Sequence, residues 1–169
     1  MSNKLFAKEL FNKHVFKDGI FYNNYISHKM ASFKEFWKWH KESTKSDPIS
    51  FPLAKNDPAF LQQNRTEKTL TWIGHASFLL QVDGLNILTD PHLTKRASPV
   101  FFAGPSRTTP PGLSIDDLPD IDIIVISHNH YDHLDASTIR NFPNKKTKVI
   151  VPLKLSKYFK RFEDVEELD

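Results

Sequence analysis

Ile121-Asp122-Ile123-Ile124-Val125-Ile126-Ser127-His128-Asn129-His130-Tyr131-Asp132-His133-Leu134-Asp135 is the stretch on which the fold turns. It opens on residues that are apolar except for Asp122, the mark of a strand covered on both faces. It then runs into the pattern H-x-H-x-D-H, which holds three of the eight histidines of the chain. Imidazole nitrogen and carboxylate oxygen are good zinc ligands. His128 and His130 stand two apart, so in an extended segment they project to one side and can grip one metal ion. Asp132 and His133 follow where the chain turns toward a helix, within reach of a second ion. Asp135 suits the N-cap of that helix, which should end near Asn141. The end of a parallel strand, ahead of a helix, is where α/β sheets place their sites. Two metal ions about 3.5–4 Å apart can share a hydroxide and polarise a phosphoryl or carbonyl group. The competing reading is a metal-free polar loop. Isolated histidines such as His14, His28 and His92 read first as surface or packing residues.

Outward from this motif, residues 148–151 read as another buried strand and 153–162 as a helix. Alternating strand and helix from residue 120 onward argues for α/β layers. On the other side, residues 69–82 are rich in β-branched and apolar residues and read as one strand. Asp83-Gly84 is a hairpin signal and 85–89 the return strand. Gly74 inside the first strand suggests a bulge or a close backbone approach. Residues 91–112 hold five prolines and two glycines, and a loop of that length is usually functional. Arg96 and Arg107 within it are candidates for substrate binding, because an arginine can pair with a phosphate through two hydrogen bonds. Plain solvent exposure is the alternative for each. Ser114 with Asp117 suggests a capped helical turn.

Residues 1–65 differ in texture. They are rich in Phe, Tyr, Trp, Lys and Asn and poor in Val, Ile and Leu. Ser32 with Glu35 forms a capping-box pattern ahead of Phe33, Phe36, Trp37 and His40, which share a helical face. Residues 47–64 carry Pro48, Pro52 and Pro58 and read as an extended connector. The expected division is an aromatic-rich arm over 1–65 and an α/β domain over 66–169. The arm's helix reads as packing on the domain, with an amphipathic membrane-surface helix as the alternative.

The composition excludes several classes. Of 169 residues, 39% are hydrophobic and 25% charged, so the chain is globular and not disordered. No apolar run is long enough to cross a membrane and no secretory signal is visible. A cytoplasmic location follows as the expectation, with surface association to a membrane as the alternative. The absence of cysteine excludes disulfides, thiolate zinc sites and a cysteine nucleophile. Lys+Arg 23 against Asp+Glu 20 is a mild, scattered excess, so no nucleic-acid partner is expected. Lys145-Lys146 and residues 157–161 could touch phosphates, but solubility explains them as well.

H-x-H-x-D-H at a strand end resembles the metal-binding signature of the metallo-β-lactamase fold superfamily. Thr71-Trp72-Ile73-Gly74-His75-Ala76-Ser77, Leu88-Thr89-Asp90-Pro91, Arg96-Ala97-Ser98-Pro99, Ala103-Gly104-Pro105 and the 126–135 segment together resemble the N-acyl-phosphatidylethanolamine-hydrolysing phospholipase D family and its bacterial relatives. The Ser32-Phe33-Lys34-Glu35-Phe36-Trp37-Lys38-Trp39 stretch is similar to the arm of those proteins. The resemblance implies an αββα sandwich with two zinc ions. His128 and His130 would hold the first, Asp132 and His133 the second, with Asp132 and His133 at the catalytic centre. Asp90 matches a position behind the metal loop, where a carboxylate can accept a ligand histidine's free N–H and orient it. Asp135 is a candidate for the same task, and helix capping explains it equally well. The implied reaction is hydrolysis of a phosphodiester or related ester by a zinc-bound hydroxide, on a phospholipid or small-molecule substrate. A His/Asp site would also take iron or manganese.

The resemblance also implies ligands that lie downstream of the motif: a third histidine on the first zinc, a bridging aspartate and a last histidine on the second. After His133 this sequence has no histidine, and its later carboxylates are Asp135, Glu163, Asp164, Glu166, Glu167 and Asp169. The expectation is therefore the N-terminal half of the sandwich. An open sheet would invite self-association or a C-terminal half-domain. Two functions compete: a zinc hydrolase whose site is incomplete in this chain, and a non-catalytic remnant or partner-binding half-domain. A nucleic-acid-processing relative of the same fold is the least favoured.

Overall fold

The computed structural model describes residues 15–18, 20–22, 32–42, 49 and 51–168. Packing divides the chain into two compact units, Met1–Asp47 and Pro48–Leu168. In the first, β1 (Val15–Lys17) and β2 (Ile20–Tyr22) pair antiparallel. Asp18 takes the left-handed conformation between them, with φ 53°, a geometry that Asp tolerates. Helix α1 (Phe33–Glu42) starts on a reciprocal capping box. Ser32 N–H donates to the Glu35 carboxylate at 2.6 Å, and Glu35 N–H donates to Ser32 Oγ at 3.3 Å. These Ser32 donors hold the Glu35 carboxyl below its ordinary range. His14 and His28 lie outside the described residues.

The second unit is built on a six-stranded sheet whose spatial order follows the chain: β3 (Thr69–Gly74), β4 (Ser77–Val82), β5 (Leu85–Thr89), β6 (Ile123–Val125), β7 (Lys148–Pro152), β8 (Asp164–Leu168). β3, β4 and β5 pair antiparallel, and β5 through β8 parallel. Only β4 is therefore reversed, and the C-terminal ends of β3, β5 and β6 share one edge of the sheet. The mixed α/β character expected from the alternating pattern is what the structure has.

One row crosses the sheet from β4 to β8: Leu79 faces Leu88, which faces Ile124, then Val149, then Val165. Leu79, Leu88, Ile124 and Val149 are each 0% exposed. Full burial of such a side chain is worth about 1.5–3 kcal/mol, so this row is the main tie between strands distant in sequence. Helix α3 (Ala136–Asn141) packs Ile139 into the same core. It begins on Asp135, whose carboxylate accepts from Ser137 N–H at 3.0 Å and Thr138 N–H at 3.2 Å.

Four expectations are corrected. Residues 69–82 are not one strand. The chain reverses at His75-Ala76, because Gly74 (φ 141°) and His75 (φ 50°) both leave the extended region and the register shifts between Trp72 and Gly74. Residues 47–64 include helix α2 (Pro58–Gln63), started by Asp57 and by Pro58 in the first turn. A proline at that position prefigures a helix instead of opposing it. Leu61 on α2 is buried. Residues 153–162 form no long helix but a 3-10 turn at Ser156–Tyr158, with i→i+3 bonds from Phe159 N–H to Ser156 and from Phe162 N–H to Phe159, both 2.8 Å. Leu155, Phe159 and Phe162 point inward from these tight turns, which imitates helical periodicity in sequence. Finally, β6 is fully covered on one face alone, since Ile123 and Val125 remain half-buried. Strand β8 was not anticipated, because its Asp164, Glu166 and Leu168 point to solvent. Lys148 pairs with Glu166 at 2.7 Å and Asp164 at 3.6 Å across that edge.

Candidate metal centre

The shared C-terminal edge of β3, β5 and β6 gathers the chemistry. Asp90 follows directly on β5 and is 6% exposed. Its Oδ1 accepts from Ser127 N–H at 2.7 Å, and its Oδ2 accepts from Ser127 Oγ at 2.7 Å. The same Oδ2 lies 2.9 Å from His133 Nδ1. That contact places the proton on Nδ1 and leaves the Nε2 lone pair of His133 facing outward, as for a metal-ligating histidine backed by a carboxylate. The motif turns back on itself because His133 and Leu134 N–H both donate to His130 C=O, at 3.0 and 2.8 Å. Buried Leu134 anchors this turn.

His128, His130, Asp132 and His133 come together. His128 Nε2 lies 3.0 Å from His130 Nδ1, and the His128 and His133 rings are 4.0 Å apart. Burial, then the neighbouring His133 and His130, push His128 below the ordinary imidazole range. That keeps its nitrogens available as lone-pair donors. Burial works to raise Asp132, but its own backbone N–H and the charges of His133 and His75 outweigh it and hold the carboxyl low.

One member of the cluster was missed by sequence reasoning. His75 Nε2 sits 2.8 Å from Asp132 Oδ2 and 3.3 Å from His133 Nε2. The Trp72 indole N–H donates to His75 C=O at 2.9 Å and secures the turn that presents it. His75 stands in a quoted stretch of sequence, but only the sheet order shows that the end of β3 meets the loop after β6. Among the described residues, one ligand atom each from His75, Asp132 and His133 lie within 4.8 Å of one another. An all-nitrogen-and-oxygen donor set, backed by a buried carboxylate, fits a divalent metal such as zinc.

A cavity of about 940 Å³ opens on this cluster. His75, His130, Tyr131 and Asp132 line it, together with apolar residues that include Phe51, Leu53 and Trp72. Arg107 borders it, but its Nε donates to Thr94 C=O at 3.0 Å and its terminal nitrogen donates to His92 C=O and contacts His92 Nδ1. Arg107 thus braces the 91–112 loop from within. Burial and then Arg107 lower the His92 pKa, and His92 is a buried packing residue. Arg96 lies away from the cavity walls. Its guanidinium donates to Gly104 C=O at 2.6 Å, and its backbone bridges Ser106. The hydrogen bonds of Asp135 go to Thr94, Ser137 and Thr138, so it joins the helix start to the loop and not to a motif histidine.

The model of a family described as "Beta-lactamase superfamily domain" matches residues 85–169. The chain is 46% identical over 92 residues to N-acyl-phosphatidylethanolamine-hydrolyzing phospholipase D 1 of Caenorhabditis elegans, covering 53% of this chain and 26% of that protein. It is 33% identical over 105 residues to the mitochondrial N-acyl-phosphatidylethanolamine-hydrolyzing phospholipase D of Saccharomyces cerevisiae, covering 60% and 22%. A solved structure of a possible metal-dependent hydrolase from Veillonella parvula is 28% identical, with a TM-score of 0.49, covering 60% of this chain and 42% of that one. The aligned stretch thus spans about a quarter of the length of these curated relatives.

Proposed function

The chain belongs to the beta-lactamase superfamily, whose domain model covers residues 85–169, and on that premise we propose that it carries the N-terminal part of the active site of a zinc-dependent hydrolase of phosphodiester or ester substrates. The observation that supports this most is the convergence of His128, His130, Asp132 and His133, of which His130 and Asp132 line a largely apolar cavity. Its likeness to phospholipases D that hydrolyse N-acyl-phosphatidylethanolamine points the substrate toward a phospholipid. Such a substrate carries both a phosphodiester for the metal loop and apolar matter for a wall that includes Trp72 and Phe51.

In this reading His128, His130, Asp132 and His133 hold the metal. A divalent ion held there would supply Lewis acidity toward a phosphoryl or carbonyl oxygen and would lower the pKa of water toward neutrality. The chain's own residues do the rest. Asp90 keeps His133 in one tautomer and one orientation. Ser127 holds Asp90 with two hydrogen bonds. The low pKa of Asp132 keeps it ionised at neutral pH, ready to bind a cation or to accept a proton at Oδ2. Arg107 maintains the loop that walls the cavity.

Hydrolysis of N-acyl-phosphatidylethanolamine and of a chromogenic phosphodiester, measured with and without added zinc, tests the proposal. Turnover that disappears with EDTA and in Asp132→Ala is the expected result. Turnover indifferent to both overturns it. The exposed edge strand β3, with Leu70 and Trp72 at 66% and 64% exposure, favours a second reading, a non-catalytic half-domain that docks through its sheet. Metal-loaded chain without turnover under any condition supports that alternative.

A further inference from the structure

We propose that His75 is itself a metal ligand, and that His75, Asp132 and His133 make a three-donor metal site wholly within this chain. The inference rests on the reading that the 128–133 loop binds metal, and it goes further by adding a ligand from a different hairpin.

The donor atoms define a triangle. His75 Nε2 to Asp132 Oδ2 is 2.8 Å, His75 Nε2 to His133 Nε2 is 3.3 Å, and His133 Nε2 to Asp132 Oδ2 is 3.7 Å. Tetrahedral zinc with bonds of about 2.0–2.1 Å needs neighbouring donors roughly 3.3 Å apart. The three edges straddle that value, so small side-chain rotations suffice to admit an ion. His75 and Asp132 both line the cavity, so an ion held between them would border that space, as a site with an open position requires.

Three further features favour this triad over the neighbouring pair. His128 and His130 offer two donors, and a catalytic zinc usually takes three from protein. His133 is already oriented by Asp90 through the nitrogen that a metal would not use. His75 is held by its backbone: Gly74 and the Trp72 indole shape the turn, while its side chain stays half exposed and open to solvent. To bind an ion through Nε2, the neutral His75 ring carries its one proton on Nδ1, which leaves the Nε2 lone pair as the ligand.

Titration of the 169-residue chain with Co²⁺, followed by its visible absorption, and Zn²⁺ content after dialysis test this. The chain should take up about one ion in a site of tetrahedral absorption intensity. His75→Asn preserves the left-handed turn, and it should weaken binding at least about 100-fold, beyond what loss of an outer hydrogen-bonding partner costs. Asp132→Asn should do the same, and His128→Ala reads whether the site also draws on the neighbouring His128–His130 pair. Circular dichroism of each metal-free variant checks that it is folded. In the Co²⁺-loaded chain, paramagnetically shifted ring-proton signals should include two histidines, and His75→Asn should lose one. Loss of binding in both the His75 and His128 variants also supports His75 as a ligand, in a site that draws on both. Parent-like binding in His75→Asn with loss in His128→Ala overturns the His75 assignment and leaves the loop reading intact. A folded parent that binds neither ion overturns both.

Discussion

The two ends of the same sheet carry polar clusters of opposite kinds. At the end where β5 and β6 begin, the side chains of Gln81, Asn64 and Asn86 meet partners of complementary type. Buried Gln81 shares its two Nε2 N–H donors among Leu61 C=O at 2.8 Å, Asn64 C=O at 3.1 Å and Asn86 Oδ1 at 2.9 Å, and its Oε1 accepts from Asn64 Nδ2 at 3.0 Å. Asn86 donates from its backbone to Asp122 at 2.7 Å and from its side chain to Asp120 C=O at 2.7 Å. At the other end, histidine nitrogens face one another at 3.0 and 3.3 Å. Donors and acceptors are matched in the first cluster, whereas ring nitrogens and a carboxylate converge in the second. A saturated network stabilises the fold. Convergent nitrogen and oxygen ligand atoms are suited to a cation.

If that contrast is right, damage at the saturated end should be read in stability, and damage at the convergent end in metal affinity. Gln81→Leu should have the largest effect. It strands several buried groups and should cost about 3 kcal/mol in urea unfolding, without changing the metal affinity of the folded fraction. Asp90→Asn comes next. It weakens the hold on His133 and should reduce Zn²⁺ or Co²⁺ affinity roughly 10–100-fold, and unchanged affinity would break the comparison.

A pH effect should follow at the convergent end. Burial and Arg107 depress the folded-state pKa of His92 below its ordinary 6.5. The unfolded chain therefore takes up a proton near that value while the folded chain resists it. The resulting stability is present above about pH 6.5 and is lost as pH falls below it. Urea midpoints in EDTA between pH 8 and pH 5 should show this decline, and His92→Gln should flatten it. The smallest effect belongs to Arg65. Its contact with Asp122 at 2.5 Å is partly exposed, so Arg65→Ala should cost under about 1 kcal/mol and less at high salt.

Much of this contrast was legible in sequence, but unevenly. The convergent motif stood out because its four donors lie within six residues, where spacing alone sets their projection. Asp90 was recognisable only through its resemblance to a family position. The saturated cluster was invisible. Gln81 sits among apolar residues of β4 and looks like an outward-facing position, yet the burial pattern places it inward with Ser77 and Leu79. The failed helix over 153–162 has a related cause, since Leu155, Phe159 and Phe162 suit 3-10 turns and an α-helix equally in one dimension.

The sequence by itself determined the features that depend on neighbours within a few residues: the capping box at Ser32, the N-cap at Asp135, the Asp83-Gly84 turn, the β6 strand and the His/Asp loop that follows it. These rest on backbone periodicity and local hydrogen bonds, which act at short range along the chain. Tertiary structure alone decided that His75 meets His133 across 58 residues, that Asp90 meets it across 43, and that Arg107 turns inward. Those meetings depend on the order and direction of strands in the sheet. That order is set by the burial of Leu79, Leu88, Ile124 and Val149 in one row, a long-range packing term that no single segment carries.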